Sequence, residues 1–156
     1  MNNELLKIMT MIKPKVRSIV DSGEQHIPII FILDNSMCIN VMSMDLPEET
    51  KQIFKPILTR LLRDCDAQGY VMVTESWGAT LSIDNPAIKD LKEGKIKVVD
   101  LPLDDRYEMI SLFAVDKEGN THTEVAKIKD TIDKRYLEDF IKIDSPFDGR
   151  MIVTNW

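Results

Sequence analysis

Two β-prone runs that frame a long irregular segment constrain the fold of this chain most. The runs cover residues 70–77 and 107–115, and the segment between them covers residues 78–106. A connection of that length is too long to be structureless inside a compact domain. Asn85 and Pro86 have the residue types of a helix start, so we expect a short helix inside it. We place the candidate functional surface on this excursion and on the two strands that it joins.

Helical and strand patterns follow one another along the chain without the regular βαβ alternation of a nucleotide-binding doubly wound fold. Apolar residues recur at helical spacing over residues 2–21 and again over residues 45–67. Turn residues separate the β-prone runs 27–33 and 37–44, which predicts a hairpin. We therefore expect a single α+β domain over residues 1–156. In it, a mainly antiparallel sheet of about five or six strands carries two principal helices on one face.

Two further elements are expected after the excursion. A turn at residues 116–120 separates the run 107–115 from the alternating run 121–128, which predicts a second hairpin. The apolar spacing within residues 136–141 predicts a short helix.

The second principal helix has both start and stop signals. Its start is expected within residues 45–49, because Pro47 suits a first helical turn and the two glutamates that follow favour the positive end of the helix dipole. Gly69 stands where a C-terminal cap is expected. We expect this helix to bury one apolar stripe, made of Ile53, Phe54, Ile57, Leu58, Leu61, Leu62 and Cys65.

The run 27–33 is apolar on both of its faces and is interrupted only by Pro28. A strand of this kind lies inside a sheet that is covered on both sides, either by helices or by a second copy of the protein. A second apolar face on the sheet favours a homodimer. We therefore expect a homodimer, with a further protein partner as the other class of contact.

The overall charge excludes one class of partner. The chain has 156 residues, of which 44% are hydrophobic and 29% charged, and its formal net charge is −6. This composition is typical of an ordinary soluble globular protein. A net negative charge works against the neutralisation of phosphates by Lys and Arg, so we expect no nucleic-acid partner.

Other sequence features favour a cytoplasmic protein. Neither a secretory signal nor an apolar run of about 20 residues occurs in the sequence, so we expect no membrane association. The two cysteines, Cys38 and Cys65, are too few for a disulfide scaffold. Both lie in apolar periodic segments, so we expect them to be buried and unreactive.

Glu75 is the residue that most needs an explanation. It shares one face of its strand with Val73 and Trp77, and an unpaired buried carboxylate is strongly unfavourable there. Arg106 can pair with Glu75 in a salt bridge, which we favour. Alternatively, carboxylates near the start of the next strand can converge with Glu75 and bind Mg²⁺ or Mn²⁺. The candidate ligand or interaction residues are Glu75, Trp77, Asp104, Asp105, Arg106 and Glu108.

The sequence contains no specific catalytic motif. A nucleophile elbow, a phosphate-binding loop and a dinucleotide fingerprint are all lacking. His26 and His122 lie on different elements without the spacing of zinc ligands. We therefore assign no catalytic residue, no metal ligand and no cofactor, and the chain leans away from being an enzyme.

Part of the chain resembles small uncharacterised α+β proteins of bacteria and phages. The resemblance consists of an apolar strand, a helix, a strand that ends in Glu75-Ser76-Trp77, and the acidic-basic cluster 104–106 before the next strand. It covers residues 27–115, just over half of the chain. It implies no activity.

These features favour a non-enzymatic interaction or assembly protein whose variable contact surface is the excursion 78–106. The alternative is a metal-dependent hydrolase of phosphoesters, with Glu75 and either Asp104 or Asp105 as metal ligands. The distances among these carboxylates discriminate between the two hypotheses.

Overall fold

Seven antiparallel strands and three α-helices form the described part of the chain in the computed structural model, which covers residues 1–44, 47, 50–144 and 152–156. The helices are α1 (Asn3–Asp21), α2 (Lys51–Asp64) and α3 (Ala87–Lys92). The strands are β1 (Ile29–Leu33), β2 (Ile39–Ser43), β3 (Gly69–Ala79), β4 (Arg106–Asp116), β5 (Thr121–Asp130), β6 (Arg135–Leu137) and β7 (Ile141–Ile143). The excursion between β3 and β4 contains α3 and two short 3₁₀ helices, Val98–Asp100 and Leu103–Asp105. The expected α+β class and mainly antiparallel sheet are confirmed.

The sheet runs in the order β2-β1-β3-β4-β5-β6, and β7 pairs with β5 beside β6. β3 and β4 form its centre as one long ladder, from Gly69 opposite Asp116 to Ala79 opposite Arg106. β6 pairs with the end of β5, and β7 pairs with the beginning of β5. Among the described residues, β2 is therefore one open edge of the sheet, and β6 with β7 forms the other.

α1 covers one face of the sheet. The side-chain oxygen of Asn2 caps its first turn by accepting a hydrogen bond from the backbone N–H of Glu4 at 2.8 Å. The buried side of the helix consists of Leu5, Ile8, Met9, Val16 and Val20. These side chains pack against alternate residues of the strands, namely Leu33, Val71, Val73, Ile110, Leu112, Ala114, Ala126 and Ile128.

α2 covers the opposite face. Its buried residues Phe54, Leu58 and Leu62 belong to a second core, to which the strands contribute Ile30, Ile32, Tyr70, Met72, Phe113 and Val115. These strand residues alternate with those beneath α1, so the two helices lie on opposite faces, which corrects the expectation of a single face. The physical reason is that β1, β3 and β4 are apolar on both sides, so each side needs its own cover.

The buried stripe of α2 is narrower than expected from the sequence. Phe54, Leu58 and Leu62 are buried, whereas Ile53 and Ile57 are exposed. Each of these isoleucines precedes a buried residue by one position, which turns its side chain by about 100° around the helix and away from the sheet.

The remaining local expectations have mixed outcomes. The expected hairpins are confirmed as β1–β2 and β4–β5. The short helix inside the excursion is confirmed as α3, where the side chain of Asn85 accepts from the backbone N–H of Ala87 at 2.9 Å. The expectation of a helix within residues 136–141 is wrong, because that segment contributes to β6 and β7. Apart from Pro47, the expected start of the second helix lies outside the described residues. Within the described ranges, no helix has both the length and the apolar character of a membrane span.

Candidate functional site

Glu75 is the centre of a polar group on the α1 face of the sheet. Its Oε1 accepts a hydrogen bond from Nη2 of Arg135 at 2.8 Å, and its Oε2 accepts one from the backbone N–H of His26 at 2.8 Å. The same Nη2 atom of Arg135 lies 3.2 Å from Oε2 of Glu108. Both carboxylate oxygens of Glu75 are therefore engaged, which offsets the cost of burying a charge at this position.

Four separate parts of the chain form this polar group. The register of β3 and β4 places Glu75 and Glu108 diagonally across from each other on one face of the sheet. Arg135 lies on β6, which the end of β5 holds by antiparallel pairing. His26 comes from the connection between α1 and β1. The group thus depends on the assembled sheet and not on any local motif.

The carboxylates hold the guanidinium of Arg135 firmly in its charged form. Burial by itself lowers the pKa of Arg135, but the hydrogen bonds and charges of Glu75 and Glu108 together raise it above its ordinary value. The side chain of Glu75 is 10% exposed and that of Glu108 is 31% exposed. The pair of Arg135 with Glu75 is therefore the better shielded of the two.

His26 is a buried histidine beside this group. Burial lowers the pKa of its imidazole below the ordinary value, and the hydrogen bond with the backbone of Ile27 and the charge of Glu75 offset only part of that effect. The side chain is therefore neutral at pH 7, and it approaches Glu75 through its backbone N–H.

Arg106 does not pair with Glu75, which corrects the favoured salt bridge. In the β3–β4 ladder Arg106 lies opposite Ala79, whereas Glu75 lies opposite Ile110. The offset between positions 106 and 110 corresponds to roughly 13 Å along a strand. Arg106 instead stacks over Trp77, with its guanidinium carbon 4.7 Å from the ring centroid.

The two aspartates of the candidate set do not belong to the polar group. Asp104 and Asp105 lie in the 3₁₀ helix that precedes β4, where Asp104 is exposed and Asp105 is half-buried. Across the described part of the chain, no group of three or more His, Cys, Asp or Glu side chains could hold a metal ion. The structure therefore joins Glu75 to Glu108 through a guanidinium, and it does not bring together the four carboxylates of the alternative hypothesis.

Sequence reasoning missed Arg135 and His26. Arg135 is separated from Glu75 by 60 positions and from Glu108 by 27, and it adjoins a segment whose apolar spacing predicts a helix. His26 is separated from Glu75 by 49 positions. The sequence does indicate that Glu75, on an otherwise apolar strand face, requires a cationic partner. That requirement does not by itself select a particular arginine.

A second candidate surface lies at the open edge of the sheet, which we call the β2 edge and define as residues 39–43. Ile39 and Val41 project from one face of β2 and are exposed, Val41 by 58%. Cys38, which was expected to be buried, is also exposed. No described residues pair with the outer side of β2, which leaves Ile39 and Val41 at the sheet edge, and Cys38 lies in the connection just before this strand.

A third candidate surface lies on the excursion, where large apolar side chains face solvent. We call it the excursion surface and define it by Ile83, Val99 and Leu103. Ile83 is 91% exposed and Leu103 is 74% exposed. Single exposed apolar residues are normal in proteins, and these three are related by their position on one segment of the chain.

The candidate sites are of two kinds. The group around Glu75 has its charges paired within the chain, whereas the β2 edge and the excursion surface present apolar side chains to solvent.

The chain matches no family model, no curated protein and no solved structure.

Proposed function

We propose that this protein is a non-enzymatic interaction protein that assembles with a second copy of itself and offers the excursion surface to another protein. The observation that carries this proposal is the placement of large apolar side chains in solvent, outside both helix-covered cores. A contiguous exposed apolar patch is typical of a protein contact site, and in this proposal Ile83, Val99 and Leu103 contribute to such a patch. Burying them against a partner removes apolar area from water, which favours association.

The polar group around Glu75 supports a structural role and not a catalytic one. A general base or a metal ligand needs a carboxylate whose negative charge is available to a proton or an ion. Both oxygens of Glu75 already accept hydrogen bonds from Arg135 and His26, and Glu108 shares the same guanidinium. These contacts tie β3, β4 and β6 together at one point.

The oligomeric state of the purified chain tests the self-assembly. Sedimentation velocity over a range of micromolar concentrations should show the 17.9 kDa chain converting to a dimer as the concentration rises. Sedimentation as a monomer at every concentration contradicts the proposal.

Matched variants test the excursion surface. The double variant Ile83→Asp with Leu103→Asp should lose a protein that the wild-type chain captures from an extract of its source. Ile132→Asp is the control, because Ile132 is fully exposed but lies outside the excursion. The captured protein must then bind the purified wild type and the control directly in calorimetry. Equal binding to the double variant contradicts a role for this surface.

A metal titration tests the alternative of a phosphoester hydrolase. A metal that binds the folded state raises the melting temperature, and Glu75→Gln should abolish such a rise if Glu75 is a ligand. We expect millimolar Mg²⁺ or Mn²⁺ to leave the melting temperature of the wild type unchanged, because Glu75 and Glu108 already form salt bridges with Arg135.

A further inference from the structure

We infer that the second copy joins at the β2 edge, through antiparallel pairing of β2 with β2 of the other copy about a two-fold axis at Val41. The inference rests on the proposed self-assembly and names its interface. It follows from the hydrogen-bond pattern, the side chains and the charge of β2, and from the contrast with the opposite edge of the sheet.

The hydrogen bonds of the β1–β2 hairpin determine which backbone groups of β2 are open. The N–H of Met44 donates to the carbonyl of Pro28 at 2.7 Å, and the N–H of Asp34 donates to the carbonyl of Cys38 at 3.0 Å. Hydrogen-bonded and non-hydrogen-bonded pairs alternate in an antiparallel ladder, so the even-numbered residues of β2 direct their N–H and C=O groups toward β1. The residues that direct theirs toward the open edge are Ile39, Val41 and Ser43.

A two-fold axis at Val41 satisfies all of these open groups. Val41 then lies opposite Val41 of the second copy, and Ile39 lies opposite Ser43 in both directions. These opposed pairs form about six backbone hydrogen bonds. An axis at position 40 would instead set Ser43 against Met37, whose φ of 63° is incompatible with a strand. Position 41 is therefore the register that uses the whole edge.

The side chains of β2 suit pairing with an identical strand. Ile39 and Val41 lie on the same face of β2, so pairing places the two valines side by side and covers exposed apolar surface. β2 contains no charged residue, so two copies meet at the axis without like-charge contact although the chain carries a net charge of −6. A neutral and self-complementary strand favours its own copy over a charged strand of another protein.

The opposite edge of the sheet lacks these properties. β6 and β7 have only 3 residues each, and they carry Arg135 and Lys142. Short strands and charged side chains are devices that prevent strand addition at sheet edges. The 5 residues of β2 include no Lys, Glu or Pro, so the protection present at one edge is missing at the other.

Val41→Pro is the most direct test, because the N–H of Val41 points away from β1. The substitution removes a donor at the proposed axis and no hydrogen bond of the β1–β2 hairpin. The wild-type dimer should become a monomer in sedimentation velocity while the circular dichroism spectrum stays unchanged. Ile57→Lys on α2 is the matched control, because Ile57 is an apolar residue of similar exposure, 54%, and this variant should remain a dimer.

Disulfide formation measures the register directly. Opposed residues of a hydrogen-bonded antiparallel pair have Cα atoms about 5.5 Å apart, which is within the reach of a disulfide. Val41→Cys in a Cys38→Ser background should therefore form a covalent dimer on oxidation. Ile57→Cys in the same background should remain monomeric on a non-reducing gel. If Val41→Pro does not fold, Val41→Lys replaces it by setting two like charges across the axis.

The outcomes separate this inference from the proposal on which it rests. A wild-type dimer that the Val41 variants leave intact, and that Val41→Cys does not lock, overturns the β2 interface while self-assembly stands. A monomeric wild type overturns both. Loss of the dimer in Val41→Pro or Val41→Lys, with retention in Ile57→Lys, supports both.

Discussion

Glu75 joins three parts of the chain that are distant in sequence. On its face of β3 it follows Val71 and Val73, both of which are buried. An isolated carboxylate in such a place costs several kcal/mol, and the cost falls only when a charge partner and hydrogen bonds are supplied. Arg135 supplies the charge and the backbone of His26 supplies the second hydrogen bond. Glu75 therefore links β3 to β6 and to the connection between α1 and β1.

The first prediction concerns the ion pair of Glu75 with Arg135. Glu75→Gln should lower the free energy of unfolding by about 2 kcal/mol, because it leaves the poorly exposed Arg135 without its better-shielded carboxylate. Urea unfolding at pH 7 measures the change. Glu108→Gln is the matched control and should lose less than about 1 kcal/mol, since Glu108 is more exposed. An equal or larger loss for Glu108→Gln would show that the two glutamates have the opposite ranking.

The second prediction concerns pH. Burial lowers the pKa of the His26 imidazole in the folded chain, so below the ordinary value of 6.5 the unfolded chain binds a proton that the folded chain resists. The stability that His26 contributes is fully present above its ordinary pKa of 6.5, and it is lost as the pH falls through the lowered pKa of the folded chain. The limiting slope is about 1.4 kcal/mol per pH unit. Urea unfolding at several pH values measures this slope, and His26→Asn should flatten it. An unchanged slope in the variant would assign the pH dependence to other groups.

At the scale of elements, the hydrophobic spacing of α2 predicts the helix itself but not the width of its buried stripe. The spacing correctly indicates a helix and an inner row of Phe54, Leu58 and Leu62. It does not determine how wide the covered stripe is, because that depends on which other segments lie beside the helix. Ile53 and Ile57 have no such cover in the described part of the chain, so they remain exposed.

The third prediction compares neighbouring residues of α2. Leu58→Ala should lower the free energy of unfolding by about 3 kcal/mol, because it opens a cavity in the α2-face core. Ile57→Ala should lower it by less than about 0.5 kcal/mol, because more than half of that side chain is already in solvent. Thermal and urea unfolding at a fixed chain concentration measure both changes. Similar losses for the two variants would mean that Ile57 is covered in solution.

Local sequence signals predicted several helices and strands of this fold, but they did not predict which residues of distant segments contact each other. Turn residues indicated the hairpins β1–β2 and β4–β5, and Asn85 indicated the start of α3. β6 and β7 were missed because strands of 3 residues form through pairing with β5 and not through their own propensity. In the candidate site, strand alternation identified Glu75 and its need for a partner. Only the register of the sheet excludes Arg106 and selects Arg135, and register is a non-local property.

At the scale of the whole molecule, residues 152–156 close the core on the α2 face. Ile152 and Val153 belong to that core, and the ring of Trp156 lies 5.9 Å from the ring of Tyr70. The hydroxyl of Tyr70 donates to the carbonyl of Val153 and accepts from its N–H, both at 3.0 Å. Burial raises the pKa of Tyr70 to about 12, with a smaller opposing effect of the bond to Val153. Tyr70 is therefore protonated at neutral pH and serves both hydrogen bonds.

The fourth prediction tests this closure. Tyr70→Phe should lower the free energy of unfolding by about 2 kcal/mol, because it leaves two buried backbone groups of Val153 without a partner. Urea unfolding measures the loss, and amide hydrogen exchange should become faster at residues 152–156. Tyr136→Phe is the control and should change stability little, since Tyr136 is only half-buried. Slow exchange at residues 152–156 in Tyr70→Phe would show that Trp156 and the core contacts suffice.

The position of α1 has a consequence for the order in which the chain acquires its structure during synthesis. The β4–β5 hairpin closes over a short turn at Gly119, so it can form as soon as both strands have left the ribosome. α1 is made before β3, β4 and β6, with which it makes its contacts. Its apolar side must therefore remain without its final cover until Leu137 has emerged. We expect the core beneath α1 to form only after β6 has been made, so the apolar side of α1 stays exposed while the strands are synthesised.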